Sequence, residues 1–204
     1  MKNYFEDVLR IIRALTFRYN VIGKLNPNDL ERAYNKAAIK VHNQEIKTPQ
    51  SIQRELQDIY VNVNDEVFKN SFSACLFDTR KTKEKKLVRY ILLSLENQLY
   101  NKDYHLFETN ASIEHIFPEN YFNDEEKLDE NMIYRLGNLT LLEPDLNKKC
   151  GNKSFKEKIE HYKNSQYEIT RKIAEDYDNW NAENIKIRQN ELAKVATSIW
   201  RFPY

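Results

Sequence analysis

Ala111-Ser112-Ile113-Glu114-His115-Ile116-Phe117-Pro118 interrupts a chain that elsewhere repeats its apolar residues at the helical period. The segment is short, apolar at intervals and stopped by proline, and it reads as a strand. Leu139-Thr140-Leu141-Leu142, introduced by Gly137-Asn138, is a second run of the same kind. Successive side chains on a regular strand point to opposite faces. Alternation therefore cannot expose both Glu114 and His115, and one of them needs a strand end or a bend before Pro118.

On the N-terminal side the pattern is helical. Phe5, Val8, Leu9, Ile12, Leu15, Thr16 and Tyr19 fall on one face, and Asn26-Pro27-Asn28 marks a turn and a cap. Leu30, Ala33, Tyr34, Ala37, Ala38 and Val41 make a second stripe. Thr48-Pro49 reads as an N-cap followed by proline at the first helical position, and Ile52, Leu56 and Ile59 continue that helix. Val67, Phe68 and Phe72 suggest a short fourth helix. The strongest stripe is Leu87, Val88, Ile91, Leu92, Leu95 and Leu99, from about Lys83 to Tyr100. Beyond the strands, periodicity resumes near Ser154 with Phe155, Ile159 and Tyr162, and a last long helix carries Ile185, Leu192, Val195, Ala196 and Ile199. The expectation is a mainly α protein: a helical bundle over residues 1–101, then a small strand-loop-strand-helix unit flanked by C-terminal helices over 102–204.

Composition narrows the function classes. An apolar share of 41% argues against disorder. Three glycines in 204 residues argue against an all-β fold with many tight turns and against a Gly-rich phosphate loop. Cys75 and Cys150, the two cysteines, cannot make a disulfide framework or a four-cysteine zinc site. No apolar run approaches the length of a membrane span, and Met1-Lys2-Asn3-Tyr4-Phe5-Glu6-Asp7 has no signal-peptide core. A cytoplasmic protein without membrane contact is expected. A net charge of +1 gives no global basic field, but charge is sorted locally. Arg80, Lys81, Lys83, Lys85, Lys86 and Arg89 form one basic run, and Lys148, Lys149, Lys153, Lys156, Lys158 and Lys163 a second. Asp124, Glu125, Glu126, Asp129 and Glu130 form an acidic one. Each run is either a solvated face or, for the basic ones, a track for phosphates.

The chemistry collects around the strands. Gly137 and Gly151 each precede an asparagine, Asn138 and Asn152, and glycine lets a backbone turn sharply and present such an amide. Asn147 lies nine residues after Asn138, among lysines. Glu114 and the amide oxygen of Asn147 are hard donors suited to Mg²⁺. His115 has the intrinsic pKa to take a proton from water. Together these groups suit a phosphodiester. His42 and His105 read as surface or cap residues, and Cys150 as a bystander. Trp180 and Trp200 read as core, and His161 as a candidate phosphate contact.

Ile-Glu-His-Ile-Phe-Pro at 113–118, Leu-Gly-Asn-Leu-Thr-Leu-Leu at 136–142, Asn147, and Gly-Asn-Lys-Ser-Phe-Lys-Glu-Lys at 151–158 resemble the HNH (His-Me finger) nuclease domain of GmrSD-type, modification-dependent restriction endonucleases. The resemblance continues through Trp180, Ile185, Arg188, Leu192, Ala193 and Ile199-Trp200, and more weakly back to Leu87–Glu96. It implies a ββα-metal fold within 102–204 and one Mg²⁺ or Mn²⁺ per site. His115 matches the general base, Glu114 the acidic metal ligand, Asn138 the residue bracing the loop that holds the base, and Asn147 the second metal ligand. Asn152 is a second candidate for that last role, where related domains often have histidine. Lys148, Lys153, Lys156 and Lys158 are the expected DNA contacts, although a lysine at the Lys158 position can equally be structural. The implied function is a DNA endonuclease that acts for an NTP-hydrolysing sensor domain or subunit absent from this chain, in defence against foreign or modified DNA. The alternatives are a non-catalytic DNA- or partner-binding module and an RNA-directed nuclease.

Overall fold

A computed structural model describes residues 2–107, 110–120 and 128–202, with side chains from Tyr4 onward. The chain divides into two compact units, Met1–Ala74 with Ala196–Tyr204, and Cys75–Val195.

The first unit is helical throughout its described residues. α1 (Lys2–Thr16) continues into a π-helical turn over Phe17–Ile22. The Asn26 side chain accepts from the Asn28 amide and, with Pro27 in the first turn, starts α2 (Pro27–His42). Thr48 and Ser51 form a capping box that starts α3 (Pro49–Glu55), so both caps read from the sequence are present. α4 (Gln57–Tyr60) and α5 (Asp65–Ala74) complete the unit. Its core gathers Ile11, Leu15, Tyr19, Leu30, Ile52, Leu56, Val63 and Phe202. The face expected for α1 is partly turned: Leu15 and Tyr19 are buried as expected, but Phe5, Leu9 and Ile12 are exposed, and Ile11, Ala14 and Arg18 are buried in their place. The Arg18 guanidinium bonds to Trp200, Val63, Asp65 and Thr197 inside the unit. An apolar count places such a residue outside.

The second unit is built around two short strands. α6 (Thr82–Tyr100) buries the run Ile91–Glu96. β1 (Ser112–His115) follows, then α7 (Glu130–Ile133) and β2 (Leu139–Leu142). The strands are antiparallel, with Ser112 opposite Leu142, Glu114 opposite Thr140 and His115 opposite Leu139. β2 is buried along its whole length. α8 (Pro144–Cys150), α9 (Phe155–Lys163) and α10 (Glu168–Asp176) come next. α11 (Ala182–Ile199) gives its residues up to Val195 to this unit. α6 and α8 pack on β1, and α6 and α10 on β2.

Two details fix these helices. The buried Glu96 carboxylate accepts from the Glu168 and Ile169 amides, at 2.9 and 2.7 Å. It thus caps α10, whose first amides have no partner within the helix. The Thr170 hydroxyl donates to the Leu141 carbonyl and ties α10 to β2. The core holds Ile116, Leu142, Cys150, Phe155, Tyr162, Ile173, Trp180 and Ile185. α8 and α10 are not anticipated by the apolar periodicity of the sequence. Among the described residues no helix is long and apolar enough to cross a membrane.

Candidate functional site

His115 is the last residue of β1, and the chain leaves the sheet directly after it. Glu114, one residue earlier, points the other way. Its carboxylate is 3% exposed in all, and Oε1 takes an ion pair from Lys158 Nζ at 2.7 Å and a hydrogen bond from the Tyr162 hydroxyl at 2.9 Å. The dilemma of two polar neighbours on one strand is thus resolved by burying one of them with a partner. Burial raises the Glu114 pKa, and the Lys158 charge and its hydrogen bond pull it back.

Lys158 does more than neutralise Glu114. It is fully buried, and its ammonium also donates to the His115 carbonyl at 2.7 Å. Expected at a phosphate, it is placed inside as the internal cation of β1. A four-carbon stem buried on an amphipathic helix has the same sequence signature as an exposed lysine. Lys148, Lys153 and Lys156 are exposed, as a phosphate contact requires. Asn152 is exposed as well.

Asn138 is fully buried between the strands. Its Oδ1 accepts from the Phe117 amide at 2.8 Å and from the Trp180 indole at 2.9 Å. Its Nδ2 donates to the carbonyls of Phe117 at 2.9 Å and Ile133 at 3.0 Å. The Asn138 carbonyl accepts from the Ile116 amide at 2.9 Å. One side chain therefore clamps the segment that follows His115. Trp180, read as core, is also part of this clamp.

The neighbouring glycine does not work as the sequence suggested. Of the two glycines that precede an asparagine, Gly151 alone has a positive φ, +47° at the C-cap of α8. Gly137 is needed for close approach: a Cβ there would lie 2.2 Å from the Ile185 carbonyl oxygen and 3.0 Å from the Gln189 amide. Gln189 Oε1 accepts from the Gly137 amide at 2.6 Å. Arg188 Nη1 donates to the carbonyls of Gly137 and Leu139, at 2.8 and 2.9 Å. α11 thus grips the loop that carries Asn138.

The His115 imidazole is half-buried beside Thr79 and Tyr134. Nε2 shares a hydrogen bond of 3.1 Å with Thr79 Oγ1. The Tyr134 ring meets it edge-on, with centroids 5.9 Å apart. Burial pushes the His115 pKa down to about 4; Glu119 opposes the shift, and Lys158 and Lys85 add to it. The imidazole is therefore neutral at neutral pH.

Asn147 lies in the middle of α8 and donates from Nδ2 to the Ile113 carbonyl at 3.1 Å. Only an NH₂ group can face a carbonyl, so the amide orientation follows and Oδ1 points elsewhere. Three atoms at the site then have no partner among the described residues: Glu114 Oε2, Asn147 Oδ1 and His115 Nδ1. None of them belongs to the polar atoms that are both buried and unpartnered. No hydrogen bond joins the His115 imidazole to Glu114 or Asn147.

The described residues contain no group of three or more His, Cys, Asp and Glu side chains suited to a metal. Glu114 and Asn147 fit a more sparing arrangement. Each is anchored through one polar atom and leaves one oxygen open, and Mg²⁺ commonly takes one or two protein oxygens and completes its shell with water and substrate phosphate. Cys150 is fully buried and its thiol is pushed up to about 12, chiefly by burial, which keeps it protonated.

Of the basic run at 80–89, Arg80 pairs with Asp78 and Glu130, and Lys81 with Asp78 and Glu84. Lys83, Lys85 and Lys86 are exposed and carry no ion pair among the described residues. Of the acidic run, 124–127 lie outside the described residues, while the Asp129 side chain caps α7.

No curated protein matches the chain. A family model described as "GmrSD restriction endonucleases, C-terminal domain" matches residues 63–195, a stretch that holds both strands and every residue of the site. The chain belongs to this family of GmrSD restriction endonucleases, and its function is restriction endonuclease-related.

Proposed function

We propose that the chain is a metal-dependent DNA endonuclease of the HNH type, with β1, β2 and α8 as its ββα unit. The observation that carries this reading is the Asn138 clamp. Of the four hydrogen bonds made by this one buried amide, two hold Phe117, just after His115, and two tie it to Ile133 and Trp180, while the imidazole itself stays neutral. A rigid loop beside a neutral base is the arrangement that proton abstraction from water requires.

Glu114 and Asn147 would hold Mg²⁺ or Mn²⁺ through Oε2 and Oδ1. When bound, the cation supplies Lewis-acid stabilisation of charge on the scissile phosphate and the leaving oxygen. His115 accepts a proton from the water that attacks phosphorus in line. Lys158 favours the ionised form of Glu114 against the effect of burial and holds the His115 backbone. Lys148, Lys153 and Lys156 contact the flanking phosphates. The physiological target is foreign or modified DNA in the cytoplasm, presented by an NTP-hydrolysing sensor domain or subunit.

The test is supercoiled plasmid incubated with the purified chain and Mg²⁺ or Mn²⁺, with and without the sensor part. Conversion to open circles or linear DNA is expected, and His115→Ala should stop it. Absence of conversion under every condition sinks the reading. DNA binding without cleavage would make the chain a binding module, and digestion of RNA alone would move the substrate.

A further inference from the structure

Thr79 lies 36 positions before His115 and outside the sequence motifs that surround the base. It is 8% exposed, in the segment that leads into α6. That segment is pinned on both sides of it. The Phe77 amide donates to the Tyr134 carbonyl at 2.9 Å, and Leu76 forms an isolated bridge with Arg135. The Asp78 amide donates to Glu84 Oε2 at 2.6 Å, and the Arg80 amide to Asp78 Oδ1 at 3.2 Å. The Thr79 hydroxyl is thereby delivered to His115 Nε2 from a fixed backbone.

The ring is fixed from a second direction. Tyr134 packs edge-on against it, and the Tyr134 hydroxyl donates to Glu119. The Arg80 guanidinium lies 4.8 Å from the centroid of the Tyr134 ring. The imidazole thus has one nitrogen tied and the other open.

We propose that Thr79 is a positioning residue for the base: its hydroxyl accepts from His115 Nε2–H and leaves the lone pair of Nδ1 as the proton acceptor. A neutral imidazole carries one N–H and one lone pair. In the opposite tautomer Thr79 donates to Nε2, the proton sits on Nδ1, and no lone pair faces the water. The hydrogen bond made by one ring nitrogen selects the form of the other. The proposal rests on the nuclease reading for its catalytic consequence, but the ring tautomer can be read without any cleavage.

The experiment uses the full chain, labelled with ¹⁵N, as wild type, Thr79→Val and Thr79→Ser. Long-range ¹H–¹⁵N spectra of His115 at neutral pH report which nitrogen carries the proton. The wild type should show a protonated Nε2 and an unprotonated Nδ1. Thr79→Val keeps the side-chain shape and removes the hydroxyl, and should shift the ring toward a mixture of tautomers. In the plasmid assay it should lower kcat about 10- to 100-fold, the scale of losing a group that orients a site residue, with KM for DNA little changed. Thr79→Ser should restore both the spectrum and most of kcat. Thermal unfolding identifies a variant that has lost its fold. A wild-type spectrum with the proton on Nδ1 overturns the proposal, as does a Thr79→Val protein with wild-type spectrum and kcat. If the wild type cleaves nothing, the nuclease reading fails, and the spectra still decide whether Thr79 orders the ring.

Discussion

Each unit buries charge, and the two do it differently. In the first, Arg18 is fully buried and four of its five guanidinium N–H donors are bonded. Nε donates to the Trp200 carbonyl at 2.6 Å, Nη1 to the Val63 carbonyl at 3.1 Å, and Nη2 to Asp65 Oδ1 at 2.6 Å and the Thr197 carbonyl at 3.3 Å. Phe68 lies 4.6 Å from it, and Trp200 stacks on Phe17. In the second, Lys158 and Glu114 are also buried, but Glu114 Oε2, Asn147 Oδ1 and His115 Nδ1 keep open valences. A satisfied buried charge organises a fold, whereas a partly satisfied polar cluster keeps capacity for a ligand. The comparison separates structural ionic groups from those available for chemistry.

Removing a group from the open cluster should cost activity rather than stability. His115→Ala is expected to lower DNA cleavage by about 10²- to 10⁴-fold, the contribution of a general base, with an unfolding midpoint near that of the wild type. A large fall in the midpoint would place His115 on the structural side. Removing a group from the closed hub should do the reverse. Arg18→Ala removes the buried donor to three backbone carbonyls, while the exposed Asp65 carboxylate keeps water and the Tyr60 hydroxyl, and should destabilise the protein by about 1–3 kcal/mol, read by denaturant unfolding.

Lys158 is the sharper case, because the sequence offered it both roles. As the buried partner of Glu114, its replacement by Met should cost about 3–5 kcal/mol of stability. The pair Lys158→Met with Glu114→Gln should recover part of that loss, since no uncompensated charge remains. A stable Lys158→Met protein whose salt slope for DNA binding is reduced by about 0.9 would reverse the assignment and return Lys158 to the phosphates.

The Asn138 clamp lies between these extremes. Asn138→Ala strands the Phe117 amide and carbonyl and the Trp180 indole. It should destabilise by about 1–3 kcal/mol and also reduce cleavage, because the loop next to His115 is released. Full cleavage by a folded Asn138→Ala protein would remove the observation on which the nuclease reading stands.

The smallest effects belong to the exposed lysines. In a His115→Ala background, Lys153→Ala and Lys156→Ala should each reduce the slope of log affinity against log salt by about 0.9 on duplex DNA. They should weaken binding about equally for all sequences, because phosphates carry no base identity. Lys83→Ala separates a track confined to α8 and α9 from one that includes α6. If all three variants leave affinity and slope unchanged, the basic runs are solvated faces.

What the sequence determined by itself is local. Thr48-Pro49 and Asn26-Pro27-Asn28 start helices because a cap and a fixed φ act within four residues. The segment 111–118, apolar at intervals and stopped by Pro118, and the run at 139–142 place the strands, and the strong stripe of Leu87–Leu99 marks α6. The family relationship was also legible, since its motifs are short and ordered along the chain. What tertiary structure decided is every contact whose partner is distant. Arg18 faces inward because of carbonyls at Val63 and Trp200, and no helical period of apolar residues can anticipate that. Gly137 is glycine because α11 passes too close for a Cβ, not because the backbone turns there. Lys158 is internal because Glu114 is, and Thr79 reaches His115 only once the segment before α6 lies beside β1. Periodicity registers which residue types recur, whereas the partner that satisfies a buried charge or orients a ring is set by packing between segments tens of residues apart.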